Sequence, residues 1–380
     1  MAQALSRFRM LDLSRQLPGP FCSMLLADLG MDVIVVASPT DPMGAGIPIL
    51  GRNKRSVTLN LKAPEGRDLF LRLVREADVV LEGGRPGGAA KLGVDYASLR
   101  AVNPRLVYCS ISGYGQDGPY RDRVGHVVNY LGFAGVMDVT GVRGGQPVIP
   151  GVQIADIGGG ALTAATGILA ALLARDQTGE GQFIDIGMMD GAVSWQVINA
   201  FNVLAQGQPQ RRGATMLTGE HPCYALYETK DARWVTVGAL EPHFWRTLCH
   251  ELGMPELIEQ QFAGGPVRDD MFRRLRATFK EKTMAEWVHQ LADKDICFGP
   301  VATVEEMMDD PQVRHRAMVV EQEDRRGEPR RTLGNPLKLS ATPPALRTPP
   351  ADFGAHTDEV LGALGLSADE LAALRTRGVV

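Results

Sequence analysis

Cysteine is sparse in this sequence and scattered through it. The five residues (Cys22, Cys109, Cys223, Cys249 and Cys297) are odd in number and include no C-x-x-C. That argues against a disulfide framework and against a zinc site, and for buried free thiols in a reducing compartment, the cytosol. Membrane-spanning runs are missing as well. The most apolar stretch, residues 158–174, is rich in Gly, Ala and Thr and meets Arg175-Asp176 at once, so it reads as a buried helix. The opening "MAQALSRFRMLDLSR" lacks the charged-then-apolar order of an export signal. There is no excess of one charge either. The formal net charge of −4 argues against a general nucleic-acid binder, yet leaves room for a local basic patch facing a small anion. No internal repeat or low-complexity tract occurs.

What remains is an ordinary globular composition, 44% apolar and 22% charged over 380 residues, long enough for two domains. The first half alternates strand and helix. Residues 9–13 and "DVIVVAS", "SVTLNLK", "DVVLEGG" and "RLVYCSIS" read as strands. "GPFCSMLLADLG", residues 64–77 and "AAKLGVDYASLRAVN" read as the helices between them, with Pro at two of their starts and Gly at a C-cap. Such alternation predicts an α/β fold with a parallel sheet covered by helices. The second half differs. Residues 153–175 and 188–206 read as helices, and "CYALYETKDARWVTVGAL" as a hairpin turned at Lys230-Asp231. Residues 243–325 read as mainly helical. Ser367 and Glu370 form a capping box that opens a last helix. These readings place a large α/β domain over 1–200 and 330–380 and a smaller domain over 225–325. Residues 201–224 and 326–351 serve as linkers.

Gly113, Gly115 and Gly118 spell the G-x-G-x-x-G of a dinucleotide site. That motif needs a helix to begin at its last glycine, and it normally follows the first strand. Here Pro119-Tyr-Arg-Asp-Arg-Val-Gly follows, with no apolar helical stripe, and the preceding strand lies well inside the chain. The glycines therefore read as permissive turns beyond a strand end, in a loop that delivers His126.

"LDLSRQLPGPFCSMLLADLGMDVI", "GRNKRSVTLNLK", "GRPGGAAKLGVDYASLRAVNPRLVYCSISGYGQDGP", "GHVVNY", "IADIGGG" and "GEGQFIDIGMMDGA" occur in this order. They resemble the family III CoA-transferases (CaiB/BaiF) along nearly the whole chain. "GH..NY", the glycines after Asp156 and "VGALEPHFW" are most similar to the α-methylacyl-CoA racemase branch. The resemblance implies a large Rossmann-like CoA-binding domain with a smaller α+β domain, an interlocked homodimer, an acyl-CoA substrate, and no cofactor or metal beyond the coenzyme A that the substrate carries. It implies His126 and Asp156 as two acid/base groups flanking the α-carbon of a thioester. It also implies Glu241 as the carboxylate that orients the histidine, and Tyr224 as a neighbouring tyrosine. The cations that would meet the CoA phosphates are Arg52, Lys54, Arg55, Lys62, Arg85 and Lys91, with Arg85 in "GRPGG" the best matched. Two departures from the pattern stand out. Ser38 occupies a position where many relatives carry a basic residue, and Val127 one where the racemase pattern has Asp.

Proton exchange on opposite faces of one carbon needs two such groups and a stabilised enolate oxygen. Histidine titrates near working pH, whereas an aspartate must be raised by burial to act as an acid. Asp156 lies among Ile154, Ala155 and Ile157 at a helix start. Burial there would raise its pKa and free N–H donors would lower it; the sequence does not decide between them. A second chemistry, CoA transfer, would use the same Asp156 as a nucleophile forming a mixed anhydride and then an aspartyl thioester.

Overall fold

The computed structural model describes residues 3–41 and 47–380. Six strands, β1 (Arg9–Asp12), β2 (Asp32–Ala37), β3 (Lys54–Thr58), β4 (Val79–Glu82), β5 (Val107–Ser112) and β6 (Phe183–Gly187), form one sheet in the order β3-β2-β1-β4-β5-β6. Every pairing is parallel. The order reverses between β1 and β4, the doubly wound arrangement whose ligands lie beyond the strand ends at that switch. A sheet covered on both faces calls for continuous apolar strands rather than alternating ones. β5 is buried at all six positions, and β2 at all but its first.

The expected helices form. α1 (Pro18–Asp28) begins on a proline and is buried on nearly every side. α2 (Pro64–Val74) buries Leu69, Phe70, Leu73 and Val74 and presents charges outward. α3 (Gly88–Leu92) and α4 (Tyr96–Val102) are two short helices, because Gly93 takes a left-handed φ of 68° between them. The chain's end rejoins this unit. Val360, Leu361, Leu371, Leu374, Val379 and Val380 share one core with Phe70, Val57 and Leu59. Ser367 and Glu370 close the capping box that begins the last helix, Ala368–Thr376.

Two elements went unread in the sequence. β6 is short and starts exposed, so it has no long apolar run. Residues 319–333, read as helical charge followed by extended chain, form an antiparallel hairpin of β10 (Val319–Glu323) and β11 (Pro329–Leu333). Its turn is fixed locally: the Asp324 carboxylate accepts from the Arg326 and Glu328 amides, and Gly327 adopts φ 79°.

The chain forms two compact units. The first comprises residues 1–134, 151–195 and 311–380; the second comprises 135–150 and 196–310. The second unit therefore starts before residue 225 and borrows a segment from the middle of the first, while 311–325 belong to the first. In the second unit β7 (Tyr224–Glu228), β8 (Trp234–Gly238) and β9 (Phe298–Pro300) form an antiparallel sheet. The hairpin turns where it was expected, with the Thr229 amide donating to Arg233 at 2.8 Å. Its core joins Tyr227, Val235 and Val237 to Trp245, Phe279 and Trp287 from the helices.

Candidate active site

Residues 113–125 link β5 to α5 (Val127–Phe133), and His126 is the N-cap of that helix. Its backbone N–H donates to Asn129 Oδ1 at 3.0 Å, which closes the helix start and leaves the imidazole exposed. No helix begins at Gly118, so the dinucleotide reading fails on geometry. Gly115 and Gly118 take φ of 92° and 78°, as turns do. Gly113 and Gly125 have a different purpose. A Cβ on Gly113 would lie 2.4 Å from the Tyr130 ring, and one on Gly125 would lie 2.8 Å from both Tyr114 and Tyr130. Tyr114 packs edge-on against Tyr130 at 5.1 Å and against Tyr120 and Phe133, with Arg123 laid over the last two rings. The Tyr130 hydroxyl donates to the Gly125 carbonyl, next to His126. The loop is thus a packed aromatic platform that holds His126.

Asp156 sits in the first turn of a π-helical segment, Ala155–Leu162, which runs directly into helix Thr163–Thr178. Such widened turns concentrate at functional sites. The carboxyl group caps nothing: the N-cap is Ile154, and among the described residues no donor reaches Asp156. Burial pushes its pKa up, and the nearby His126 pulls it down by less. Burial therefore prevails, since no helix-start donor reaches the carboxyl and the only opposing influence is the His126 charge. The Tyr130 phenol is pushed up to about 12, first by burial, then by Tyr114 and Asp156. Asp156 is therefore close enough to both His126 and Tyr130 for their charges to interact.

The glycines after Asp156 make room for protein. A Cβ on Gly158 would meet the Trp195 ring at 2.1 Å, one on Gly159 the Met188 carbonyl at 2.6 Å, and one on Gly160 would meet Met188 and Pro18. All three are buried, so the space their missing side chains leave is taken by protein and not by a ligand. Contrary to the reading that membrane-spanning runs are missing, Ala155–Thr178 is long and apolar enough to cross a bilayer by composition, because the helix extends past the stretch read from sequence; 44% of its most apolar window is buried, and Ala164, Ile168 and Ala171 are buried in the helix.

The comparisons with known proteins agree over almost the whole chain. The model of CoA-transferase family III matches residues 5–357. This chain belongs to CoA-transferase family III. It is 35% identical to the human alpha-methylacyl-CoA racemase, covering 99% of this chain and 97% of that protein. It is also 34% identical to the succinate–glutarate CoA-transferase of Agrobacterium fabrum, covering 95% of each. A crystal structure of a CAIB/BAIF family protein from Brucella suis is similar with a TM-score of 0.83 and 32% identity, over 96% of this chain and 100% of that one. A family III enzyme is therefore either a racemase or a CoA-transferase here, and identity alone does not separate the two.

The remaining family-implied residues fall in several places. Tyr224 opens β7 and pairs with Gly238; Glu241 is the exposed N-cap of helix Pro242–Glu251. Both belong to the second unit, whereas His126 and Asp156 belong to the first. The six cations divide. Arg52 is 2% exposed, and its guanidinium is spent on Asp28 at 2.7 Å and on the Leu333 carbonyl. Lys54 is equally buried, donating to Pro20 O at 2.9 Å and Ser23 Oγ at 2.7 Å, with Asp12 beyond. Burial pulls the Lys54 pKa down despite that neighbour. Both charges are occupied inside the fold. Arg55 is half-buried between Asp32 and Glu359. Lys62, Arg85 and Lys91 are exposed. Arg85 follows β4 at the switch in strand order, where Gly83 approaches Ser14 after β1. Tyr130 was quoted in the sequence motif but given no role. Its spacing of four from His126, on a helix, was the signal available.

Proposed function

We propose that this family III enzyme is a 2-methylacyl-CoA racemase, exchanging the α-proton of a thioester between His126 and Asp156. The observation that carries the reading is the Asp156 carboxyl, raised in pKa by burial and near enough to His126 to feel its charge. A carboxyl so raised holds a proton at higher pH than an ordinary aspartate, which suits a general acid. The neutral imidazole takes the α-proton from one face, and the bond electrons move onto the thioester oxygen as an enolate. Asp156 then delivers its proton to the opposite face, and the reverse reaction uses the two groups in exchanged roles. The family resemblance gives Glu241 the role of orienting and stabilising the imidazolium, and Tyr224 that of a neighbouring active-site tyrosine. Arg85, Lys62, Lys91 and Arg55 meet the CoA phosphates.

CoA transfer is the second reading, favoured by the near-equal identity to the succinate–glutarate enzyme and by a carboxylate that accepts no hydrogen bond. It is the weaker of the two because a raised pKa leaves less of the carboxylate free to attack. We also propose a homodimer with both copies contributing to each site. Helix Val197–Gln206 buries none of its residues; Ile198, Phe201 and Leu204 are exposed. An unpartnered apolar face of this kind calls for a protein surface.

A chiral 2-methylacyl-CoA incubated in deuterium oxide separates the readings. Racemisation incorporates α-deuterium without any acceptor acid, and His126→Ala lowers that exchange by at least ~10²-fold. New thioester on an added acid, with no α-deuterium, establishes transfer instead.

A further inference from the structure

The second unit contains a cationic cluster that the chemistry above does not use. Arg268, on helix Gly265–Phe279, is 16% exposed in its side chain. Its guanidinium makes no hydrogen bond among the described residues. The nearest acids are Glu220 Oε1 at 3.9 Å and Asp269 Oδ1 at 3.7 Å, too far to accept. His221 is 14% exposed, its Nε2 3.8 Å from Glu220 Oε2 and its ring edge-on to Phe262. Arg212 donates from Nε to Gly145 O at 3.1 Å, and its Nη2 stands 3.8 Å from Asp138. Arg143 donates from Nε to Gly213 O at 3.4 Å. Arg268 and Arg143 both lie close enough to the imidazole to depress its pKa, adding to burial against the opposing Glu220.

Three atoms of this cluster, His221 Nδ1, Arg268 Nε and Arg212 Nη1, are buried without a hydrogen-bond partner. Buried donors are ordinarily satisfied. Arg52 shows the ordinary outcome in this same chain, forked onto Asp28. The arginines are also placed by backbone that tolerates little else. Gly213, at φ 60°, would drive a Cβ to 2.3 Å from the Arg143 amide nitrogen, and one on Gly141, at φ 128°, would lie 2.6 Å from Arg212 Cδ. Asp138 and Asp269 are 66% and 72% exposed, so they face solvent and hold the arginines loosely. Glu220 stands 3.8–3.9 Å from His221 and Arg268, so what these groups lack is a two-oxygen acceptor within hydrogen-bond reach, the shape a guanidinium fork recognises.

We propose that Arg143, Arg212, His221 and Arg268 form a binding site for a carboxylate, carried on the far end of the acyl group or of an acceptor acid. The His221 carbonyl accepts the Tyr224 amide at 3.0 Å, so the cluster lies one turn from the tyrosine assigned to the reacting thioester. The substrate class that follows is a dicarboxylic acid or its mono-thioester. What carries the carboxylate rests on the acyl-CoA reading above; the binding of a free anion does not.

The test is calorimetric titration of the full chain with glutarate, inorganic phosphate and neutral glutaramide at fixed ionic strength. Glutarate binds saturably, more tightly than phosphate, and glutaramide does not bind. Arg268→Met weakens glutarate by at least about tenfold, the loss expected for a charge-assisted fork. Arg268→Lys, which keeps the charge without the planar fork, falls between. If Arg268→Met fails to fold, Arg143→Gln reads the same loss from an exposed side chain. Glutarate binding that is absent, weaker than phosphate, matched by glutaramide, or unchanged in these variants overturns the site. Turnover is not needed, so a failed isotope-exchange experiment and a failed titration are distinguishable.

Discussion

In the reaction proposed above Asp156 carries the chemistry, and it also carries a stability cost. Its folded pKa lies above the ordinary value because burial penalises the charged form. Below the unfolded pKa both states are protonated and there is no penalty. As pH rises through the folded value, the native state must ionise a poorly solvated group, and stability falls. Asp156→Asn removes that ionisation. Its melting temperature should exceed the wild type's at about pH 8, and the difference should vanish well below the ordinary aspartate pKa of about 3.9. Melting curves at the two pH values check this; an equal difference at both would assign the effect to packing. On the racemase reading, isotope exchange should be lost in the same variant, a trade of stability for function.

At the scale of elements, the π-helical segment Ala155–Leu162 and helix Met188–Ser194 meet through Gly159 and Gly191. A Cβ on Gly191 would fall 2.3 Å from the Gly159 Cα. Backbone against backbone leaves no flexible side chain to yield. Gly159→Ala should therefore cost about 1–3 kcal/mol, as overpacked sites do. Because the shifted segment carries Asp156, kcat should fall more than KM changes; denaturant melts and steady-state kinetics measure the two effects separately. The opposite device holds His126. There the glycines at 113 and 125 admit aromatic rings, and the Tyr130 hydroxyl ties the loop to its own helix. One half of the site is set by missing side chains in a helix, the other by large ones around a loop.

For the whole molecule, the exposed apolar residues decide the prediction. Phe201 and Leu204 are 58% and 86% exposed on a helix with no buried residue. Surface of that kind on a folded chain marks an interface. Phe201→Asp combined with Leu204→Asp should convert a dimer to a monomer in sedimentation equilibrium, with loss of turnover if the sites are shared. A wild type that sediments as a monomer would remove the homodimer from the reading. Within the first unit, the Asp28 carboxylate accepts from Arg52, Asn53 and Asn335. That buried network ties the returning C-terminal segment to α1, and it explains why Arg52 is held away from solvent.

The parallel sheet was legible because strand and helix patterns rest on local periodicity. The runs at β2 and β5, the prolines opening α1 and α2, and the Ser367–Glu370 cap each need only neighbouring residues to be read. The motifs around His126 and Asp156 were legible for a related reason: they are contiguous strings. What lay beyond the sequence depends on partners distant along the chain. Arg52 and Arg85 look equally cationic in sequence, yet one meets Asp28 in the core and the other meets water. The glycines after Asp156 look like an approach for ligand, and only packing shows Trp195 and Met188 filling that space. The sequence by itself determined which residues could ionise and which segments could pair. The tertiary structure alone decided which of those charges are buried, satisfied or left unpaired, because solvation and hydrogen bonding belong to the surroundings of a side chain and not to its place in the chain.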